Sequence, residues 1–357
     1  MEIEFLFDSK PFSLKKNEIE EIQSRYFFKL IKHHTSNCIQ YKNILESLNY
    51  NFKRENQNKF LPFLPVSLFK KNDFFSVPKV KIIKTLVSSG TTSQHLSKIY
   101  LDRTTALNQK RALMNIVQDF IGKKRLPMLI VDSENILKDR KLFSARGAGI
   151  LGFSTFGKDP VFILNDDMTL NKHRLNVFLE KYNNRKFFIF GFTYMVYDNL
   201  IRYFESKKSR IDLSNSLLIH GGGWKKLENK LKEKENFKKK LLNLLGIEFV
   251  HDYYGMVEQT GSIFIQCKKG NYHCSIFSDV FIRNPKDFSL SAIAEDGIIQ
   301  LMSVLPFSYP GFSLLTEDIG CFLGVDNCPC GRLGKYFQIK GRIENSELRG
   351  CSDVFGN

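Results

Sequence analysis

Residues 216–225 read Ser-Leu-Leu-Ile-His-Gly-Gly-Gly-Trp-Lys, a short apolar run that leads into three consecutive glycines. The run Ser216 to Ile219 is typical of a buried strand. Consecutive glycines cost folding entropy, so Gly221, Gly222 and Gly223 indicate close approach of a ligand or of another backbone. Because ligands of open α/β sheets bind beyond the carboxyl ends of the strands, the stretch predicts a binding loop at such an edge.

The chain on both sides of this stretch alternates short apolar runs with polar, helix-like segments. The predicted buried strands besides Ser216 to Ile219 are Ile82 to Val87, Met128 to Asp132, Phe187 to Phe190 and Phe249 to Asp252. The predicted helices are Asn108 to Ile121, Leu170 to Asn183, Thr193 to Lys207 and Lys225 to Leu245. This alternation predicts an α/β architecture with a largely parallel sheet.

The two ends of the chain differ from its middle. Asn17 to Leu48 has apolar residues at helical spacing, and Leu61 to Phe69 reads as a Pro-punctuated loop. Short strands with Gly, Pro and Asn turns follow Gly261. We therefore predict a helical N-terminal segment at 1–75, an α/β core at 76–260, a smaller β-rich subdomain at 261–340 and a C-terminal tail at 341–357.

Composition and charge narrow the class of protein. The net charge of +16 fits an anionic partner or a solvated lysine surface. The densest run, Lys225 to Lys240, mixes lysines and glutamates at helical spacing, which favours an exposed helix over a nucleic-acid surface. No uncharged apolar run reaches about 18 residues, so we expect no integral membrane protein. Seven cysteines without a secretory signal indicate the reducing cytoplasm.

Two further loops follow predicted strands. Ser88-Ser89-Gly90-Thr91-Thr92-Ser93 combines small residues with hydroxyl groups, a combination that can bind a polyphosphate. An ordinary Ser/Thr loop is the alternative interpretation of the same residues. Tyr253 to Thr260 offers an aromatic ring that can stack on a purine and a carboxylate that can ligate Mg²⁺. Near the end, Thr316 to Gly320 contains a carboxylate that can hold ribose hydroxyls, and Lys340 to Glu344 contains cations.

These segments together resemble the adenylate-forming superfamily of acyl-CoA synthetases, adenylation domains and luciferases. The longer strings His220 to Lys225, Tyr254 to Phe264, Cys330 to Lys335 and Glu347 to Asp353 resemble the acyl-protein synthetases of bacterial luminescence (the LuxE family). Phenylacetate–CoA ligases are close relatives of that family. The resemblance covers the chain from about Leu61 onward and implies the α/β fold of the N-terminal domain of these enzymes, with their C-terminal domain essentially absent.

The resemblance also implies roles for individual residues. The ATP phosphates would be held by Ser88, Ser89, Gly90, Thr91 and Thr92. The adenine would be bordered by Gly221, Gly222 and Gly223 and stacked on Tyr254. Glu258 would ligate Mg²⁺, Asp318 would bind the ribose, and Arg342 would assist at the ribose or α-phosphate. Cys351 matches the cysteine that accepts the acyl group, from which the family passes it to an acyl reductase.

Two departures from the superfamily pattern matter. Ser93 stands where relatives usually have glycine. The superfamily's catalytic lysine belongs to a C-terminal domain for which this chain leaves no room, so adenylation proceeds without it or a lysine such as Lys225 replaces it. The expected activity is an ATP-dependent ligation of a fatty acid to Cys351. Two alternatives stay open, namely a coenzyme A or carrier-protein ligase and a non-catalytic nucleotide-binding subunit.

The other cysteines suggest a metal site. Cys267 and His273 lie six residues apart, and Cys328 and Cys330 follow about sixty residues later. Two such Cys/His pairs in separate turns can form a tetrahedral zinc set, although their spacing is not that of a standard zinc finger. A turn with two reduced cysteines and no metal is the alternative.

Overall fold

The computed structural model describes residues 2–50, 58–88, 96–138, 145–182, 184–223 and 231–343. The α-helices in these ranges are α1 (Glu2–Asp8), α2 (Lys16–Asn37), α3 (Ile39–Ser47), α4 (Leu68–Lys71), α5 (Arg103–Ile121), α6 (Asn135–Lys138), α7 (Ala145–Ser154), α8 (Lys172–Tyr182), α9 (Thr193–Val196), α10 (Arg202–Ser206) and α11 (Leu231–Leu245). A π-helical turn, Tyr197–Ile201, joins α9 to α10.

The strands in the same ranges are β1 (Leu64–Pro65), β2 (Ile82–Val87), β3 (Lys98–Asp102), β4 (Leu126–Ser133), β5 (Gly157–Leu164), β6 (Phe187–Phe192), β7 (Ser216–Gly221), β8 (Phe249–Tyr254), β9 (Phe264–Ile265), β10 (Tyr272–His273), β11 (Ser278–Arg283), β12 (Asp296–Ser303), β13 (Ser313–Val325) and β14 (Lys335–Arg342).

The chain divides into two compact units. The first unit contains the described residues up to Ser88, from 96 to Asp119 and from Gly255 onward. The second unit contains the described residues from Phe120 to Tyr254. The four segments predicted from the sequence stay a prediction.

The second unit is built on a parallel sheet in the order β5-β4-β6-β7-β8. Every residue of β6 is buried, which explains its continuous Phe-Phe-Ile-Phe-Gly-Phe sequence, because a strand covered on both faces needs no polar alternation. The register aligns Phe192, Gly221 and Tyr253 across β6, β7 and β8. The ends of three strands therefore meet at one edge.

The first unit is built on an antiparallel sheet in the order β10-β14-β13-β12-β11, with β1 beside β13. Helix α2 packs on this unit through buried Phe27, whose ring lies 6.2 Å from that of Phe312. The Gln23 amide also donates to the carbonyls of Ile276 and Ser278. Short strands after Gly261 were predicted, and the antiparallel sheet confirms them.

Two local predictions need correction. Ile82–Val87 is a strand, but it pairs only with β3 in a two-stranded antiparallel sheet and is not buried; Ile83 is 63% exposed. A short apolar run does not reveal which sheet it joins, and this one lies outside the parallel sheet. The predicted loop Leu61 to Phe69 contains β1 and the first residues of α4, because Leu64 pairs with Leu314.

Candidate functional site

The glycine loop after β7 lies at the carboxyl edge of the parallel sheet, as predicted. A Cβ atom on Gly221 would overlap the ring of Tyr253, and one on Gly222 would lie 2.6 Å from Cδ1 of Phe192. Gly222 and Gly223 have φ angles of +87° and +69°, which L side chains rarely adopt. Packing against aromatic rings therefore explains two of the glycines. Among the described residues, no atom lies within 4 Å of a Cβ placed on Gly223.

The sequence analysis did not predict that aromatic rings pack against this loop. Phe153 stacks on Phe190 at 4.3 Å between centroids and lies 4.9 Å from Tyr253. Tyr253, and not Tyr254, is the ring that covers Gly221. The Gly-Gly-Gly string was the available signal, because a strand end without side chains needs a bulky neighbour to fill the space.

His220 is the last side chain before the glycines and is almost fully buried. Its Nδ1 lies 2.9 Å from the hydroxyl of Thr193, and the same hydroxyl donates to the Gly221 carbonyl at 3.1 Å. Burial lowers the pKa of His220 to about 3, and the nearby cation Lys238 acts in the same direction. The imidazole is therefore neutral at physiological pH.

The first unit carries the base of the predicted phosphate loop. The Ser88 hydroxyl accepts a hydrogen bond from the backbone N–H of Ser97 at 3.0 Å, and the Ser88 N–H donates to the Ser97 carbonyl. Ser97, which sequence reasoning missed, is fully buried. Ser88 thus ties the two ends of the loop together. Ser89, Gly90, Thr91 and Thr92 lie outside the described residues, as do Lys225 and Cys351.

Glu258, the predicted Mg²⁺ ligand, is in the short turn after β8 and is only 4% exposed. Burial raises the pKa of its carboxyl group. The hydroxyl of Tyr309 donates to the backbone carbonyl of Glu258 at 2.9 Å, which holds this turn in place. A buried carboxylate of this kind is stabilised by a bound cation, because the cation supplies the compensating charge.

Asp318 and Arg342 are brought together by the β13–β14 pairing. They are direct partners across the two strands, and Arg342 Nε donates to Asp318 Oδ1 at 3.1 Å. The Asp318 N–H donates to the Thr316 hydroxyl, two residues earlier. Thr316 to Gly320 was interpreted as a turn from the sequence, but it lies within β13, where strand pairing positions the carboxylate. The two side chains are partly buried, with 14% of Asp318 and 29% of Arg342 exposed.

Cys267, His273, Cys328 and Cys330 form one cluster, and their ligand atoms all lie within 4.8 Å of one another. The sulfurs of Cys267 and Cys328 are 4.0 Å apart, and Cys330 Sγ is 3.3 Å from His273 Nε2. Ligands of a tetrahedral zinc ion with bonds of about 2.3 Å lie about 3.8 Å apart, so the spacing fits. The structure thus brings together both predicted pairs.

Two backbone N–H groups and one side-chain amide point at sulfurs of this cluster. The N–H of Lys269 donates to Cys267 Sγ, and the N–H of Arg332 donates to Cys330 Sγ, each at 3.4 Å. The Asn271 amide lies 3.5 Å from Cys328 Sγ. Three N–H donors directed at three sulfurs form the kind of outer shell that orients metal ligands.

Comparison with known proteins gives the context of these sites. A family model described as "Acyl-protein synthetase, LuxE" matches residues 2–357. The chain is 21% identical over 361 residues to a long-chain-fatty-acid–luciferin-component ligase of Vibrio harveyi, covering 98% of this chain and 91% of that protein. It is 22% identical over 365 residues to the protein of that name from Aliivibrio fischeri, covering 99% and 93%.

Among solved structures, 2-hydroxyisobutyryl-CoA ligase in the postadenylation state matches with a TM-score of 0.69 at 15% identity, covering 94% of this chain and 71% of that chain. The same enzyme in the thioesterification state also gives 0.69, covering 95% and 72%. At this identity the likeness concerns the fold, and it confirms the predicted adenylate-forming α/β architecture. None of the helices in the described ranges combines the length and the apolar character that crossing a membrane requires.

Proposed function

This chain belongs to the acyl-protein synthetase (LuxE) family, and on that premise we propose that it is an ATP-dependent ligase that activates a long-chain fatty acid and carries it as a thioester. The observation that carries the proposal is the family match over residues 2–357. The relatives from Vibrio harveyi and Aliivibrio fischeri are named long-chain-fatty-acid–luciferin-component ligases, which supports the substrate class.

In the first step a carboxylate oxygen of the fatty acid attacks the α-phosphorus of ATP. The bond from that phosphorus to the bridging oxygen breaks, so acyl-AMP forms and pyrophosphate leaves. We assign the phosphates to Ser88, Ser89, Gly90, Thr91 and Thr92. Mg²⁺, held by Glu258, would neutralise charge on the phosphates. The protein's task in this step is to position the reactants and to stabilise the developing charge.

The adenine and the ribose of ATP would be held by separate groups of residues. We assign the adenine to Gly221, Gly222, Gly223 and Tyr254, because glycines let a ligand approach the backbone closely and an aromatic ring can stack on a purine. We assign the ribose hydroxyls to Asp318. Arg342 holds that carboxylate by a hydrogen bond. We assign it a role at the ribose or the α-phosphate. We also assign a catalytic role in this step to Lys225.

In the second step the thiolate of Cys351 attacks the acyl carbonyl. The carbon–sulfur bond forms, the bond to the AMP oxygen breaks, and AMP leaves with its electron pair. The thioester is then passed to an acceptor protein such as an acyl reductase. The thiol nucleophile and the thiolate cluster both need reducing conditions, so we place the enzyme in the cytoplasm.

We further propose that the Cys267–His273–Cys328–Cys330 cluster binds one structural Zn²⁺. Three thiolates and one imidazole are the preferred donors of this ion, and a closed four-ligand set is typical of a structural role. The ion would not take part in ligation.

The test uses the full chain with MgATP and radiolabelled myristate. We expect fatty-acid-dependent pyrophosphate exchange and a hydroxylamine-sensitive label on the protein. Cys351→Ser should keep the exchange and lose at least about nine-tenths of the label, since only the second step needs the thiol. Cys38→Ser, a change at a buried cysteine, is the matched control and should keep both.

If Cys351→Ser keeps full covalent label, self-acylation is refuted. Formation of soluble acyl-coenzyme A by that variant would point to a coenzyme A ligase instead. Absence of pyrophosphate exchange in the wild type would refute the enzymatic proposal as a whole.

A further inference from the structure

Thr193 is the first residue of α9 and directly follows β6, whose end lies beside the glycine loop. Its side chain is fully buried. A buried hydroxyl at the edge of a sheet needs hydrogen-bond partners, and Thr193 has two of them on the neighbouring strand β7: the His220 ring and the Gly221 carbonyl.

The direction of these hydrogen bonds follows from the chemistry of the partners. A carbonyl oxygen only accepts, so the Thr193 O–H donates to Gly221. The hydroxyl oxygen is then the acceptor for His220, which must carry its proton on Nδ1. The three groups form a chain that runs from the imidazole through the hydroxyl to the carbonyl that opens the glycine loop.

This arrangement is not a nucleophile–base–acid triad. In such a triad the hydroxyl and the carboxylate lie on opposite ring nitrogens. Here the Thr193 hydroxyl and the Asp252 carboxylate both lie toward Nδ1, the latter at 3.7 Å. Among the described residues His220 Nε2 has no hydrogen-bond partner. The imidazole therefore cannot take a proton from Thr193, and the chain has a positional role.

The glycine loop needs such external support. Gly222 and Gly223 lack side chains that could restrict their backbone, and both have positive φ. A hydrogen bond to the Gly221 carbonyl fixes the plane of the Gly221–Gly222 peptide, and with it the direction in which the loop leaves β7. The rings of Phe192 and Tyr253 restrain the loop by packing, but only Thr193 fixes that carbonyl through a side-chain hydrogen bond among the described residues.

We propose that Thr193, together with His220, is a positioning residue that holds the glycine loop in the conformation that receives the adenine of ATP. This inference rests on the proposed function, because it takes the loop to border the nucleotide. Thr193 itself does not contact the reacting atoms.

The experiment measures fatty-acid-dependent pyrophosphate exchange at varied ATP. Thr193→Val keeps the shape of the side chain and removes the hydroxyl, so KM for ATP should rise about tenfold, the effect of losing a buried hydrogen bond. Thr193→Ser, which restores the hydroxyl, should stay within about threefold of the wild type. Ser216→Ala is the control, because it deletes a buried hydroxyl at the other end of β7.

The outcomes separate a positional role from a merely structural one. If Thr193 has only a structural role, Thr193→Val should melt at a lower temperature than Ser216→Ala, while KM for ATP should be equal in the two variants. That result would overturn the inference. So would a rise confined to KM for the fatty acid. If Thr193→Val does not fold, Thr193→Ala and Thr193→Ser differ only by the hydroxyl, and the same tenfold difference is expected between them.

The wild type distinguishes this inference from the proposed function. Absence of exchange in the wild type would refute the proposed function, and the role of Thr193 with it. Normal exchange in the wild type with an unchanged KM in Thr193→Val would refute the role of Thr193 only.

Discussion

At the scale of single residues, the pair of Asp318 and Arg342 offers a direct test of nucleotide binding. The two lie on adjacent strands and share a hydrogen bond of 3.1 Å. The hydrogen bond from the arginine to Oδ1 holds the carboxylate group of Asp318 in one orientation. The position of its other oxygen, Oδ2, is thereby restricted as well. A carboxylate that is held in this way can accept hydrogen bonds from two neighbouring hydroxyls without further loss of side-chain entropy.

We predict that Asp318→Ala raises KM for ATP about thirtyfold, since losing charge-assisted hydrogen bonds costs about 2 kcal/mol. The measurement is pyrophosphate exchange at varied ATP and saturating fatty acid. Asp296→Ala, an exposed carboxylate at the start of β12, should leave KM unchanged. A folded Asp318→Ala with wild-type ATP dependence would remove this residue from the nucleotide site.

At the scale of elements, the β13–β14 hairpin connects two candidate sites. Cys328 and Cys330 lie in its turn, whereas Asp318 and Arg342 lie near its open end. Cys267 and His273 belong to the segment around β9 and β10, which comes before β11 in the chain. His273 pairs with Tyr336 of β14. A metal ion in the cluster would therefore fasten the turn of the hairpin to that segment.

We predict one equivalent of zinc per chain and its loss in Cys328→Ser. The variant's melting temperature should fall by on the order of 5 °C or more, because metal binding contributes to folding free energy. Cys321→Ala is the matched control, since Cys321 is buried in β13 outside the cluster. Less than about a tenth of an equivalent in the wild type, by elemental analysis, would contradict the assignment.

At the scale of the whole molecule, buried neutral histidines make stability depend on pH. His34 in α2 is fully buried between the Ser76 hydroxyl and the Pro306 carbonyl, at 2.7 and 3.2 Å. Burial lowers the pKa values of His34 and His220 to about 3. Because the unfolded chain binds these protons at about pH 6.5, each contribution is intact above that pH and is lost as the pH falls toward 3.

We predict that lowering the pH from 7 to 5 reduces the free energy of unfolding by about 2 kcal/mol per buried histidine. His34→Gln should be less stable than the wild type at pH 7 but should lose about 2 kcal/mol less on acidification. Urea unfolding at both pH values measures this difference. His173→Gln, at an exposed position of α8, should show the wild-type pH dependence.

The sequence by itself determined most of the parallel strands and of the candidate residues, although β5 was not predicted. Ser216 to Ile219 and Phe187 to Phe190 were predicted as buried strands, and the structure confirms both and extends them to Gly221 and Phe192, because continuous apolar runs fit a sheet covered on both faces. The grouping of the four Cys and His residues was also predicted, because thiols and imidazoles in turns are rare enough to be informative.

The tertiary structure alone decided which residues meet. Ile82–Val87 was predicted as a buried strand but belongs to a separate, exposed sheet. The apolar content of a strand does not specify which strand it pairs with. Tyr253 and Thr193 lie next to Gly221 because the register of β6, β7 and β8 brings together residues that are far apart in the chain. Hydrogen bonds between such residues depend on distance in space, and a linear pattern of residue types does not contain that distance.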